Sequence, residues 1–247
     1  MKFKSLLGIF IGDCMGSLYE AAGYVSGDEI GPYTDDTEQA YGIALWLNSQ
    51  NLSLENLESK LKEVYSGSKR GYGRNQASFL ENKPYRKDSY GNGASMRIAP
   101  AAEFASTPEE AVEIAKKQCM LTHNNSEAID GAVTIALLAY LIKEKINPMK
   151  ITDYYADALL PEAGRDYKKN LRASESVPLA VEAFLRGNSF EDTGQKALSY
   201  GGDTDTIAAM ACGLASLKYE IPDALIEKVI NAHSDNLKLY NKIAAFI

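Results

Sequence analysis

Cysteines, basic clusters and long apolar runs are scarce in this 247-residue sequence, and each scarcity excludes a class of protein. The three cysteines are far apart and form no CxxC pair, so we expect buried thiols in a reducing cytoplasm, not a disulfide framework. No run of Lys or Arg occurs and the formal net charge is −7, which argues against binding to duplex nucleic acid through its phosphates. No apolar stretch is long enough to span a membrane. The apolar run at residues 6–11 is short and is followed by Asp13, so it predicts a buried first helix and not a signal peptide.

Strand-like alternation of apolar and polar residues is also missing, whereas helical periodicity runs through most of the chain. Hydrophobic residues make up 45% and charged residues 24%, which is typical of a globular protein. We therefore predict a single compact all-α domain over residues 1–247, with polar loops, among them 65–75 and 81–93, threaded between the helices. Three of the predicted helices begin after residues 36, 53 and 107. The others cover about 4–19, 126–143, 149–159, 176–186, 190–199, 205–219, 222–233 and 235–245.

Two clusters of carboxylate and hydroxyl side chains lie where predicted helices begin: TDDT at residues 34–37 and DTDT at residues 203–206. Adjacent helical residues point about 100° apart, so three consecutive oxygens converge only where the chain enters a helix. Oxygen ligands suit Mg²⁺, Mn²⁺ or Ca²⁺ and not zinc. Each cluster alone also fits ordinary helix capping, because Asp and Thr are preferred there. Four carboxylates brought together would repel one another, so the pair of clusters favours two divalent ions between them.

Three further stretches carry polar groups at predicted helix ends or loops. GIFIGDCMGSLYE (8–20) has a glycine seam and ends in Glu20, which is either a solvated acid or a movable carboxylate near the metals. SYGNGASMR (89–97) exposes backbone N–H groups suited to a diphosphate, although Asn-Gly is also a common turn. Arg97 fits either a phosphate or a structural carboxylate. In the third stretch, LTHN (121–124), His123 fits either a ligand contact or a helix cap or packing residue.

Taken together and in this order, these stretches resemble the ADP-ribosylglycohydrolase family, also called ADP-ribosyl-acceptor hydrolases. The matching segments cover about residues 6–219 and read GDCMGSLYE, YTDDT, YGNGASMR, LTHNNSEAIDGA and YGGDTDTIAAMACG. The ending Tyr19-Glu20 is similar to compact bacterial members and to the branch that cleaves serine-linked ADP-ribose and poly(ADP-ribose).

The resemblance implies an all-α fold with two Mg²⁺ ions, replaceable by Mn²⁺, at the base of an ADP-ribose cleft. The catalytic residues it implies are Glu20, Asp35 and Asp36, with Asp13 as a supporting acid. The metal ligands it implies are Glu20, Thr34, Asp35, Asp36, Asp203, Asp205 and Thr206. The substrate-binding residues expected beside them are Tyr90, Gly91, Asn92, Gly93, Ser95, Arg97, His123 and Gly202, with Tyr90 or Tyr72 stacking on adenine.

The implied reaction is hydrolysis of the glycosidic bond at C1″ of ADP-ribose attached to a protein side chain, to poly(ADP-ribose) or to an acetyl group. A non-catalytic ADP-ribose-binding protein and a metal-dependent hydrolase of another N-glycoside or nucleotide remain as alternatives. We expect a cytoplasmic monomer whose partner is an ADP-ribosylated protein or an ADP-ribose-containing small molecule, with no membrane and no nucleic acid. Only thirteen residues separate Glu20 from Thr34, so the flap expected there is short and the acceptor stays open.

Overall fold

The computed structural model describes residues 2–20, 29–65, 70–162, 165, 167, 171–232 and 237–246. The described chain is helical and contains no strand, only two isolated bridges between loop residues, so the predicted all-α class is confirmed. None of the described helices is long and apolar enough to cross a membrane. The helices are α1 (Lys4–Gly16), α2 (Asp35–Asn48), α3 (Leu54–Tyr65), α4 (Arg74–Leu80), α5 (Gly93–Met96), α6 (Ala101–Phe104), α7 (Pro108–Cys119), α8 (Ser126–Lys143), α9 (Ala173–Arg186), α10 (Phe190–Ser199), α11 (Thr204–Ser216), α12 (Asp223–Ala232) and α13 (Leu237–Ala244).

Helix α1 lies directly against α11 along the glycine seam. A methyl group added at Gly8, Gly12 or Gly16 would come within 2.3–2.4 Å of a backbone oxygen of α11. The absence of side chains at these three positions therefore lets the two backbones touch. This contact matters for the site, because Gly16 meets the first turn of α11, where the second acidic cluster begins.

The central helix α8 is buried on most sides, as its apolar sequence predicts. Residues 131–142 are all buried, and α5, α6, α7 and α9 pack around the helix. Thr107 and Pro108 start α7 as predicted: the Thr107 hydroxyl accepts a hydrogen bond from the backbone N–H of Glu110 at 3.1 Å. The three cysteines are buried free thiols.

Two predicted helices end earlier than their periodicity suggests. The first tightens after Gly16 into a 3₁₀ turn at Ser17–Tyr19. The helix predicted at 149–159 is only a 3₁₀ turn at Pro148–Asp153. Beyond it, the backbone N–H of Leu159 donates to the Thr134 hydroxyl of α8 at 2.9 Å. This hydrogen bond to α8 takes the place of a further helical turn. Periodicity along the chain cannot reveal such a tertiary contact.

Candidate active site

A cleft of about 310 Å³ opens where α2, α4 and α11 begin. Three groups of residues form most of its lining, and Gln39 and Met96 complete it. The acid floor consists of Glu20, Thr34, Asp35, Asp36, Asp203, Asp205 and Thr206. The glycine wall consists of Ser89, Gly91, Asn92, Gly93, His123 and Leu171, and the α4 wall consists of Gly71, Gly73, Arg74, Asn75 and Gln76.

The α2 end of the acid floor is held by Asp13, a fully buried acid of α1. Its carboxylate accepts hydrogen bonds from the backbone N–H and hydroxyl of Thr34, at 2.8 and 2.9 Å, and from both groups of Thr37. Thr34 in turn caps α2, since its hydroxyl accepts from the backbone N–H of Asp36 at 3.3 Å. Capping thus accounts for Thr34, whereas the carboxylates of Asp35 and Asp36 do not cap the helix.

The α11 end of the acid floor turns through Gly201 and Gly202, whose φ angles of 63° and 77° favour glycine. Asp203 occupies the N-cap position of α11 but makes no capping bond with its side chain. Instead, its carboxylate accepts from the Asn92 side-chain amide at 2.6 Å. Capping therefore does not explain the second cluster.

The tertiary fold brings the two acidic clusters together. The Thr206 hydroxyl donates to Oδ2 of Asp36 at 3.2 Å, across 170 residues of sequence. Glu20, Asp203 and Asp205 each offer an oxygen within 4.8 Å of the other two. All seven residues predicted as metal ligands therefore line one surface of the cleft.

Burial and mutual repulsion make these carboxylates hard to ionise. Burial, and then the charge of Asp205, raise the pKa of Asp35 to about 7. The same two causes hold the pKa of Asp36 and that of Asp203 well above the usual value. The charge of Asp205, and then burial, raise the pKa of Glu20. One oxygen of Asp36, Oδ1, is buried with no hydrogen-bond partner among the described residues. An unpaired anionic oxygen amid excess negative charge fits a bound cation.

Arg97 lies behind the acid floor, fully buried and outside the cleft lining. Among the described residues, its guanidinium makes no ion pair with a carboxylate. Nε donates to the side-chain oxygen of Gln118 at 2.8 Å, and Nη1 donates to that of Gln39 at 2.6 Å. The Gln39 amide then donates to Oδ2 of Asp35 at 2.7 Å. Arg97 therefore reaches the acid floor only through Gln39.

The glycine wall is fixed by short pairings between loops. Gly91 pairs with Arg172, and Asp88 pairs with His123, as isolated antiparallel bridges. A methyl group at Gly93 would lie 2.9 Å from Nε2 of His123, so only glycine allows this approach. Burial, and then the nearby charge of Arg97, lower the pKa of His123 to about 3, so its ring is neutral at pH 7. A neutral imidazole beside unobstructed backbone can hydrogen bond to an anion.

Four predicted substrate-binding residues lie outside the cleft lining: Tyr90, Ser95, Arg97 and Gly202. Tyr90 is 52% exposed, and its ring lies 4.4 Å from the guanidinium carbon of Arg172. Ser95 is fully buried near Gly131 of α8. Tyr72 is also outside, and its hydroxyl donates to Glu38 at 2.8 Å.

Sequence reasoning missed the whole α4 wall, together with Gln39, Met96 and Leu171. The stretch GYGRNQ (71–76) combines two glycines with polar side chains before a helix, and this signal resembles that of the glycine wall. The expected flap between Glu20 and Thr34 falls mostly on residues 21–28, which lie outside the described part of the chain.

The chain is therefore an all-α protein whose cleft is lined by acids at helix starts. Such a cleft is suited to divalent cations. The model of the ADP-ribosylglycohydrolase family matches residues 3–245, so the chain belongs to the ADP-ribosylglycohydrolase family. Family membership and its curated relatives identify it as a hydrolase.

The relatives match most of the chain at low identity. The ADP-ribosylhydrolase ARH3 of Homo sapiens is 26% identical, covering 90% of this chain and 87% of that protein. The ADP-ribosyl-[dinitrogen reductase] glycohydrolase of Rhodospirillum rubrum is 24% identical, covering 89% and 85%. A solved structure described as an ADP-ribosylglycohydrolase-related protein complex superposes with a TM-score of 0.74 at 22% identity, covering 98% of this chain and 96% of that chain. The structural likeness establishes the fold.

Proposed function

We propose that this protein is a hydrolase, dependent on two Mg²⁺ ions, that cleaves the glycosidic bond at C1″ of ADP-ribose attached to an acceptor. One observation carries the proposal: four aspartates from two helix starts and Glu20 share one cleft floor, with a buried oxygen of Asp36 unpaired. Such a concentration of carboxylates persists in a folded protein when cations lie between them. Membership of the family supports the choice of substrate.

The proposed metal ligands are the members of the acid floor, and Mn²⁺ is the expected substitute for Mg²⁺. Carboxylate and hydroxyl oxygens are the ligands that both ions prefer. When bound, the ions supply Lewis-acid polarisation of substrate oxygens and lower the pKa of a water molecule. Two groups of acids support two positions: Glu20 with Asp203 and Asp205, and Asp35 with Asp36.

The proposed catalytic residues are Glu20, Asp35 and Asp36. Glu20 is exposed at the edge of the floor and is the proposed carrier of the proton between water and the leaving group. Asp35 and Asp36 hold their positions through Gln39 and Thr206. Glycoside cleavage develops positive charge at the sugar ring, and negative side chains near C1″ stabilise that charge.

The glycine wall is the proposed site for the diphosphate. Gly91 and Gly93 leave the backbone accessible, and the neutral ring of His123 can hydrogen bond to a phosphate oxygen. The proposed partner is an ADP-ribosylated protein or an ADP-ribose-containing small molecule.

The test is release of free ADP-ribose from serine- and arginine-linked peptides, poly(ADP-ribose) and O-acetyl-ADP-ribose, in Mg²⁺ and in EDTA. We expect Asp35→Ala and Asp203→Ala to slow release by about a hundredfold or more, the scale set by loss of preorganised charge stabilisation. Asp223→Ala, which removes an exposed acid at the start of α12, is the control and should keep full activity. Release that continues in EDTA would contradict the proposal.

The same preparation separates the alternatives. Binding of Mg²⁺ and ADP-ribose without release from any substrate would indicate a non-catalytic binding protein. Release from another N-glycoside or nucleotide, but not from ADP-ribose conjugates, would indicate a different hydrolase on the same fold.

A further inference from the structure

Gln76 is a buried side chain of the α4 wall whose polar atoms face the question of what they bind. It is 8% exposed and borders the cleft. Neither its amide nitrogen nor its amide oxygen has a partner in the described part of the chain. A buried carboxamide left unpaired is unfavourable, and native proteins rarely keep one without a ligand or water to satisfy it.

The backbone that presents Gln76 is firmly held by its neighbours. Asn75, the preceding residue, exchanges two side-chain hydrogen bonds with the backbone of Arg86, each at 2.8 Å. The hydroxyl of Tyr72 donates to Glu38 of α2 at 2.8 Å. The backbone therefore holds the Gln76 side chain in a defined place. Such preorganisation lowers the free-energy cost of binding a ligand.

The segment directly before Gln76 is tied to the acid end of the cleft. Tyr72 is tied to the first turn of α2, and the guanidinium carbon of Arg70 lies 3.8 Å from the ring centroid of Tyr33, just before that turn. The same turn carries Asp35 and Asp36. In the proposed function the diphosphate occupies the glycine wall and the distal ribose lies over the acids. Adenosine is joined to the other side of the diphosphate, away from the acids, so the group attached to C1″ is the part of the substrate that remains for a side chain at the acid end.

We propose that Gln76 is a specificity-determining residue that hydrogen bonds the acceptor joined to C1″, and that it suits an acceptor containing a peptide unit. This inference rests on the proposed function. A carboxamide offers one N–H side and one C=O side, which match the C=O and N–H of a peptide group. A phosphate only accepts hydrogen bonds, so it would leave the Gln76 oxygen unpaired.

The experiment compares wild type with Gln76→Met, which keeps the side-chain length and removes both hydrogen-bonding atoms. Cleavage is measured on an ADP-ribosylated peptide and on O-acetyl-ADP-ribose, whose acceptor has no peptide N–H, and calorimetry gives the affinity for free ADP-ribose. We expect kcat/KM on the peptide to fall about tenfold, the effect of losing one or two neutral hydrogen bonds. The rate on O-acetyl-ADP-ribose and the affinity for ADP-ribose should stay within about twofold of wild type.

Two controls separate recognition from folding. The melting temperature of Gln76→Met should equal or exceed that of wild type, because an unpaired buried amide is replaced by an apolar group. Gln195→Met makes the same chemical change on α10, outside the cleft lining, and should leave the ratio of the two cleavage rates unchanged.

Several results would overturn the inference. Equal losses on both substrates, or weaker binding of free ADP-ribose, would mean that Gln76 contacts ADP-ribose itself. Unchanged kinetics, or a wild-type enzyme that cleaves only O-acetyl-ADP-ribose, would remove the role in acceptor choice. Failure of the proposed function is a separate result, because wild type would then release ADP-ribose from no substrate.

Discussion

A fully buried arginine, Arg97, hydrogen bonds two glutamine amides where a carboxylate partner would be usual. Burial lowers its pKa to about 10, against the opposing effect of Cys119 and Asp35, so it stays charged at neutral pH. An isolated buried cation is unfavourable unless nearby charge offsets the lost hydration. The acid floor supplies that charge, with Gln39 lying between Arg97 and Asp35. We interpret Arg97 and Gln39 as residues that orient Asp35.

Gln39→Met is expected to weaken both folding and Mg²⁺ binding. It removes the acceptor of Arg97 Nη1 and the donor to Asp35, so the free energy of unfolding should fall by about 1–3 kcal/mol. Loss of a residue that orients a metal ligand typically lowers metal affinity about 10–100-fold. Urea unfolding and calorimetric titration with Mg²⁺ measure the two effects.

Gln118→Met is the matched control, because Gln118 also binds Arg97 but does not contact Asp35. It should destabilise the protein and leave Mg²⁺ affinity near that of wild type. An equal loss of Mg²⁺ affinity in both variants would show that Gln39 has no specific role towards Asp35.

At the scale of helices, the contact between α1 and α11 sets the geometry of the acid floor. Helix α1 carries Asp13, which binds the turn before α2, and its Gly16 and Gly12 meet the first two turns of α11. The Thr204 hydroxyl donates to the backbone oxygen of Gly16 at 2.8 Å, which fixes the two helix ends together. The spacing between the two acidic clusters therefore depends on how closely these helices approach.

Gly12→Ala is expected to separate α1 from α11. The new methyl group would lie 2.3 Å from the backbone oxygen of Ala208, which cannot move aside as a side chain can. Overpacking of this kind typically lowers the free energy of unfolding by about 1–3 kcal/mol, and denaturant unfolding measures it. Gly213→Ala is the control in the same helix pair, since its methyl group would meet only side chains, the nearest at 3.0 Å. Equal destabilisation by both changes would argue against a backbone contact as the cause.

For the whole molecule, the balance of charge is dominated by acids, with a formal net charge of −7. Several of these acids meet in one buried region, where Asp13 and Asp35 each have a pKa raised to about 7 from the usual 3.8, with burial as the largest cause. Between about pH 4 and 7 the folded chain therefore holds protons that the unfolded chain releases. Stability of the ion-free protein must fall as the pH rises through that window.

In EDTA, we expect the melting temperature to be higher near pH 5 than near pH 8. In the proposed function Mg²⁺ binds the deprotonated carboxylates, so it should raise the melting temperature strongly at pH 8 and weakly at pH 5. Calorimetric scans at both pH values, with EDTA and with Mg²⁺, test this. If the protein freed of Ca²⁺ and Mg²⁺ is more stable at pH 8 than at pH 5, the raised pKa values of Asp13 and Asp35 are contradicted. Asp35→Asn should reduce the dependence of the melting temperature on pH.

The helical class, most helix starts and the two acidic clusters can be predicted from the amino-acid sequence alone, because periodicity and capping are local properties of the chain. Thr107 and the apolar run of α8 are examples. Its motifs also indicated the family.

Which polar groups meet depends on the tertiary structure. Asn92 reaches Asp203 across 111 residues, and Arg97 reaches Gln39 across 58, through the packing of helices that no local pattern encodes. Packing also leaves Tyr90 outside the cleft lining and brings Gln76 to the cleft. Side-chain partners distant in sequence depend on the whole core, because burial and helix spacing decide which polar atoms find each other.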